Sequence, residues 1–180
     1  MTPPQLTEVE ALELLAQQYG LTGQLSALPG ERDRNFQLCL ASGEKNTFKV
    51  VSADVPLESL KVEIRAMQHL NSELGSLVPH PLADQAGRFI SQGSLQNGSS
   101  CWLRLQSWQP GIPLAEFRPH TTELFHSVGH LMGQVATSLS TLAVPDPHPD
   151  LSWHPDQASQ IVEEGLSLVA DPLLKNFLEQ

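Results

Sequence analysis

The first residues that could do chemistry are a lysine and a glutamate in two successive predicted elements. Lys49 is one of only four lysines in the chain, and it interrupts Asn46 to Val51 (NTFKVV), a stretch typical of a buried strand. An ammonium group there costs free energy unless an anion or water meets it. Glu63, on the following predicted helix, borders that helix's apolar stripe and projects toward the sheet. The sequence therefore predicts a Lys49–Glu63 ion pair within about 4 Å, with two solvated side chains as the alternative.

A predicted antiparallel sheet holds Lys49. Short runs with strand-type alternation are separated by turn signals, and successive hairpins favour an antiparallel meander. We expect one helix between the third and fourth strands, from Pro56 to Gly75, because apolar residues recur there with a period of 3.6. The five predicted strands cover residues 25–28, 35–40, 47–51, 88–92 and 101–108.

Helices are predicted at both ends of the chain. The first covers Thr7 to Tyr19, with Thr7 as N-cap and Glu10 three residues later as the partner in a capping box. Beyond Pro110 the apolar period becomes helical, and it predicts helices over about residues 121–142, 155–169 and 172–180. The last segment has no stop signal, so we expect a chain cut within a helical lobe.

The fold class that follows is α+β, with a five-stranded antiparallel sheet, one inserted helix and a helical part after it. Residues 1–109 would form the sheet lobe, 110–118 a connector, and 119–180 the first helices of an incomplete second lobe. Cys39 and Cys101 fall inside predicted strands, which favours packing over a disulfide or a metal site.

Composition limits the class of partner. The formal net charge of -10 argues against binding to nucleic acid or anionic membranes, which both require a basic surface. No apolar run approaches the ~18 residues of a membrane span, and the N-terminus lacks a signal-peptide pattern. We therefore expect a cytoplasmic protein.

A resemblance to a known family comes from five segments in a fixed order: LPGERDRNFQLCL, NTFKVV, LKVEIRAMQHL, VPHPL and CWLRLQSWQPGIPLAEF. Together they resemble the N-terminal lobe of the aminoglycoside phosphotransferase and choline kinase-like family. The nearest pattern is the hydroxylysine kinase-type domain, which also occurs fused ahead of class III aminotransferases. The resemblance covers about residues 1–155 and implies a protein-kinase-like fold.

The resemblance also assigns roles to the residues that would hold phosphate. Lys49 matches the nucleotide-binding lysine, Glu63 matches its helix carboxylate, and Glu31 to Phe36 replaces the glycine-rich phosphate loop. This makes Arg34 and Asn35 candidate nucleotide-binding residues. The acidic residues of the loop would repel phosphate unless its arginines compensate, and a plain solvated turn remains the alternative.

The strand that leads to Pro110 resembles the hinge that holds adenine in such enzymes. Main-chain groups bind adenine there, so the resemblance implies roles for the Ser107 carbonyl and the Gln109 N–H group. Gln106 would line the back of the pocket. Trp108 would contact the base or pack between the lobes.

The catalytic residues of the family are missing from this sequence. The 180 residues contain no HGD, HRD or DFG triplet, so we expect no activity from this chain alone. The resemblance implies ATP and magnesium as cofactors of the intact enzyme, with neither bound tightly by this fragment. The implied partners are nucleotide, the rest of its own polypeptide and possible self-association. The alternative function is a non-catalytic accessory module, for example of an aminotransferase fusion.

A metal site is the remaining candidate. His126 and His130 are four residues apart on the long predicted helix, as two zinc ligands would be. The helix offers no third ligand and no HExxH pattern, so we predict no metal site in this chain.

Overall fold

The computed structural model describes residues 3–143, 158–166, 168–171 and 174–175. The chain divides into two compact units, Met1–Pro145 and Asp146–Gln180. The first unit contains, in order, α1 (Glu8–Tyr19), β1 (Gly23–Leu28), β2 (Arg34–Leu40), β3 (Lys45–Ser52), α2 (Leu57–Leu74), β4 (Pro81–Leu82), β5 (Ser91–Ser94), β6 (Ser100–Ser107) and α3 (Thr122–Ser140). In the second unit, α4 covers Ala158–Leu166.

The six strands that the structure describes join one antiparallel sheet. The order is β1-β2-β3-β6-β4, and β5 also pairs with β6. The predicted α+β fold with α2 inserted after the third strand is confirmed. The sheet has six strands rather than five, because the two-residue strand Pro81–Leu82 pairs with the end of β6. The predicted lobe boundaries at residues 109 and 118 stay a prediction.

One face of the sheet, which we call the α1 face, carries the hydrophobic core. Phe36 lies opposite Phe48, and Phe48 lies opposite Leu105, so apolar residues meet across three strands. Cys101 packs in this core as predicted, and burial raises the pKa of its thiol to about 11. The cluster includes Ala11, Leu14, Leu15, Tyr19, Leu25, Phe36, Leu38, Phe48, Val50, Cys101, Leu103 and Leu105.

The cap of α1 differs in part from the sequence prediction. Thr7 is the N-cap, and its side chain accepts a hydrogen bond from the Glu10 N–H group. The buried Glu10 carboxylate does not complete the predicted capping box. It instead accepts a 2.5 Å hydrogen bond from the Gln96 N–H group in the turn between β5 and β6. Glu10 therefore joins the first helix to the far edge of the sheet.

The opposite face, which we call the polar face, carries the side chains that alternate with the core. Because side chains alternate along a strand, Lys49 and Arg104 lie on this face, between the core residues of β3 and β6. Trp102 shares the face and donates a 3.1 Å hydrogen bond to the Val55 carbonyl, which fixes the approach to α2. This contact helps to place Glu63 of α2 against the sheet.

The helix α3 follows the predicted pattern. Thr121 caps it, and the half-buried residues Leu124, Val128, Leu131 and Val135 recur at spacings of three and four. Of the predicted segment 172–180 only residues 174–175 are described, and they are helical, while residues 155–157 of the predicted helix 155–169 lie outside the described residues. Among the described helices, none combines the length and apolar character needed to cross a membrane.

Candidate phosphate-binding site

Two like charges face each other in the centre of the polar face. Lys49 of β3 lies directly opposite Arg104 of β6, and Asn35 of β2 lies opposite Lys49 in the same cross-strand row. Like charges in this position destabilise a sheet unless anions accompany them. The row therefore requires anionic partners.

Two carboxylates meet this row. Asp33 Oδ2 is 3.2 Å from Lys49 Nζ and 3.8 Å from an Arg104 guanidinium nitrogen, and Glu63 Oε2 is 2.5 Å from Arg104 Nη1. We call these four residues the ion-pair cluster. Its burial is uneven, since the Arg104 side chain is 4% exposed and the Glu63 side chain 54% exposed. The Arg104 cation is therefore buried, whereas the Glu63 carboxylate that pairs with it is accessible to water.

The predicted Lys49–Glu63 ion pair is not formed among the described residues. Lys49 pairs with Asp33, and Glu63 pairs with Arg104. The prediction was wrong because it considered one cation, whereas the sheet register brings two cations to the same place. The alternation in CWLRLQS could have shown this, since it puts Arg104 on the face of β6 opposite the apolar Leu103 and Leu105.

The turn before β2 brings Asp33 to the cluster. Asn35 donates a 3.2 Å hydrogen bond to the Pro29 carbonyl, which ties the start of the turn to the strand. Gly30 lies so close to the end of the turn that an added Cβ would be 2.3 Å from the Asp33 carbonyl oxygen. The segment predicted to replace a phosphate loop therefore folds back tightly, and its own carboxylate contacts Lys49.

Arg34 lies apart from the cluster. It pairs in register with Val50, which belongs to the core, so its side chain projects from the α1 face. There the guanidinium carbon is 5.7 Å from the centre of the Phe36 ring. Arg34 and Lys49 therefore lie on opposite faces of the sheet, and the role of Arg34 toward phosphate stays a prediction.

The predicted hinge residues follow the same strand as Arg104. Gln106, two residues after Arg104, lies opposite Thr47 on the polar face. Ser107 is held by the chain before β4, because its N–H group donates to the His80 carbonyl at 2.9 Å and its hydroxyl accepts from the His80 N–H group at 3.0 Å. Trp108 is half-buried and Gln109 is exposed. Their roles toward adenine stay a prediction.

A second cluster, around Asp84, supports β6 from the adjoining strand. The buried Asp84 carboxylate accepts hydrogen bonds from the Ser91 hydroxyl at 2.7 Å, the Arg88 Nε at 2.9 Å and the N–H groups of Ala86 and Arg88. Burial opposes its ionisation, but these donors together lower its pKa to about 2. Ser91 pairs in register with Leu103, so this carboxylate fixes β5 beside the strand that carries Arg104.

The part of the chain that the structure describes contains no group of three or more His, Cys, Asp or Glu residues arranged to hold a metal. His126 and His130 are both exposed on α3.

Comparison with protein-family models and with curated sequences gives no match. Comparison with solved structures does. An amicoumacin kinase in complex with AMP-PNP, Ca²⁺ and Ami superposes with a TM-score of 0.69 at 18% identity, over 88% of this chain and 48% of the kinase. A microcompartment-associated aminopropanol kinase superposes with a TM-score of 0.62 at 13% identity, over 82% and 45%.

These similarities establish the fold. The chain has the protein-kinase-like fold of these two structures, which are small-molecule kinases. It spans about half the length of each of them.

Proposed function

We propose that this chain is the nucleotide-binding portion of an ATP-dependent phosphotransferase that acts on a small molecule. The observation that carries the proposal is the cross-strand pair Lys49 and Arg104, two cations on the polar face with the turn before β2 folded over them. Buried like charges are costly, so a fold that keeps them has anions to bind there. The triphosphate of ATP is the anion that the fold favours.

Lys49 is the residue that we assign to the phosphates. The Lys49 side chain is 24% exposed, so its ammonium group can exchange the 3.2 Å contact with Asp33 for a phosphate oxygen. ATP would supply the phosphoryl group. The Ser107 carbonyl and the Gln109 N–H group would hold the base, and Gln106 would line the back of its pocket, as the resemblance implies.

The acceptor that we propose is the hydroxyl of an amino alcohol or a hydroxylated amino acid. The aminopropanol kinase among the similar structures supports the amino-alcohol class. The 180 residues contain no HGD, HRD or DFG triplet, so we assign the catalytic base and the acceptor site to residues outside this chain. We assign magnesium no ligand among the described residues.

Nucleotide titration monitored by ¹⁵N NMR tests the proposal, because it detects weak binding and locates it. Added ATP at millimolar concentration should shift the amide signals of Lys49 and of its neighbours on β2 and β6. Lys49→Ala should remove these shifts. Lys45→Ala is the matched control, since Lys45 is an exposed lysine at the start of the same strand.

Two results would contradict the proposal. One is a wild-type spectrum that ATP leaves unchanged, and the other is a Lys49→Ala spectrum that responds as the wild type does. Either result would favour the alternative, a non-catalytic kinase-like module of a larger protein. The aminotransferase fusion and self-association stay predictions.

A further inference from the structure

Arg104 is buried more completely than an arginine usually is. Its side chain is 4% exposed, and Arg is among the residues that are rarely buried without partners. Glu63 satisfies Nη1 at 2.5 Å, while the other terminal nitrogen reaches Asp33 only at 3.8 Å. The buried Nε has no hydrogen-bond partner among the described residues. The guanidinium group thus keeps donor capacity that the protein itself leaves unused.

Asp33 bridges the two cations of the row. A single carboxylate oxygen is 3.2 Å from Lys49 and 3.8 Å from Arg104. The second distance is too long for a hydrogen bond, so Asp33 is within hydrogen-bond distance of Lys49 but not of Arg104. A phosphate group has more oxygens and more charge than a carboxylate, and guanidinium groups bind phosphate through paired N–H donors.

We propose that Arg104 is a second phosphate-binding residue beside Lys49, and that Asp33 occupies the phosphate position until nucleotide displaces it. Glu63 then positions Arg104 rather than Lys49. This inference rests on the proposed nucleotide-binding function. It adds Arg104 as a phosphate-binding residue and Asp33 as a group that competes with phosphate. Binding of a polyphosphate requires the turn before β2 to release Asp33 from both cations.

The proposal makes opposite predictions for two side chains of the same cluster. Neutralising Arg104 removes a phosphate ligand, whereas neutralising Asp33 removes the group that competes with phosphate. In the full 180-residue chain, Arg104→Met should weaken ATP binding at least about tenfold, the usual effect of losing a charge-assisted contact. Asp33→Asn should tighten it by about threefold or more, since its repulsion of phosphate is lost.

Adenosine, which lacks phosphates, separates a phosphate ligand from a residue that only supports the fold. Arg104→Met should leave adenosine binding unchanged, as should Asp33→Asn. Arg65→Met is the matched control, since Arg65 is an exposed arginine on α2, and it should change neither ligand's affinity. Calorimetric titration with ATP and with adenosine, for each variant, gives the required affinities.

The outcomes distinguish this inference from the proposed function. If Lys49→Met leaves ATP binding unchanged, the proposed function fails. If Lys49→Met weakens ATP binding but Arg104→Met weakens ATP and adenosine equally, Arg104 is a structural residue and only this inference fails. If Arg104→Met does not fold, Asp33→Asn still tests the inference. Unchanged or weaker ATP binding by Asp33→Asn would overturn the claim that Asp33 competes with phosphate.

Discussion

The carboxylate of Asp84 gives a stability prediction whose size follows from its pKa. Hydrogen bonds from Ser91, Arg88 and Ala86 outweigh the effect of burial and lower that pKa from 3.8 to about 2. One pKa unit corresponds to about 1.4 kcal/mol, so ionised Asp84 stabilises the fold by about 2 kcal/mol. Asp84→Asn should therefore lower the free energy of unfolding at neutral pH by about that amount.

The pH dependence of this loss follows from the sign of the shift. A lowered carboxyl pKa contributes stability that is fully present above the unfolded value of 3.8 and is lost as the pH falls through about 2. The difference between wild type and Asp84→Asn should be constant above about pH 4 and should narrow below it. Urea denaturation across this range measures both quantities.

The control for Asp84 is an aspartate with a single local partner. Asp54 is exposed and accepts a 3.0 Å hydrogen bond from the Ser52 hydroxyl, so Asp54→Asn should change stability by no more than about 0.5 kcal/mol. A difference between wild type and Asp84→Asn that stays constant down to about pH 3 would refute the assignment of this stability to the charge of Asp84.

Two further predictions concern the attachment of α1. Glu10→Ala should lower the free energy of unfolding by about 1–3 kcal/mol in urea denaturation, because it leaves the Gln96 N–H group without its partner. Glu13→Ala removes only a 3.4 Å exposed contact to the Gln96 side chain and should have little effect, so equal losses in the two variants would contradict the role of Glu10. Tyr19 is the only tyrosine in the chain, and burial raises the pKa of its hydroxyl to about 12. Absorbance titration of the native protein should therefore give a midpoint well above 10, and the free energy of unfolding should fall as the pH rises from about 10 to about 12. A native midpoint near 10 would contradict the burial of this hydroxyl.

Local patterns predicted the elements that position the site. The apolar period of 3.6 placed α2, and the strand alternation around Lys49 placed β3, because both patterns reflect one buried face of a single element. The strand Pro81–Leu82 was missed, since two residues carry no period. It pairs with Leu105 and Gln106 of β6, which lie beyond the part of β6 that pairs with β5.

The partners within the site could not be read from the same patterns. Which carboxylate meets Lys49 depends on the register between β3 and β6 and on the fold of the turn before β2, and neither is a local property. Arg104 was visible as a charge in a strand, as Lys49 was. Its pairing with Glu63 became evident only when the sheet brought both cations into one row.

A crystal structure of the 180-residue chain with AMP-PNP would test the phosphate-binding assignment most directly. We predict phosphate oxygens within hydrogen-bond distance of Lys49 Nζ and the Arg104 guanidinium group, with Asp33 moved away from both. A nucleotide bound elsewhere on the chain, with the 3.2 Å contact between Asp33 and Lys49 intact, would contradict it.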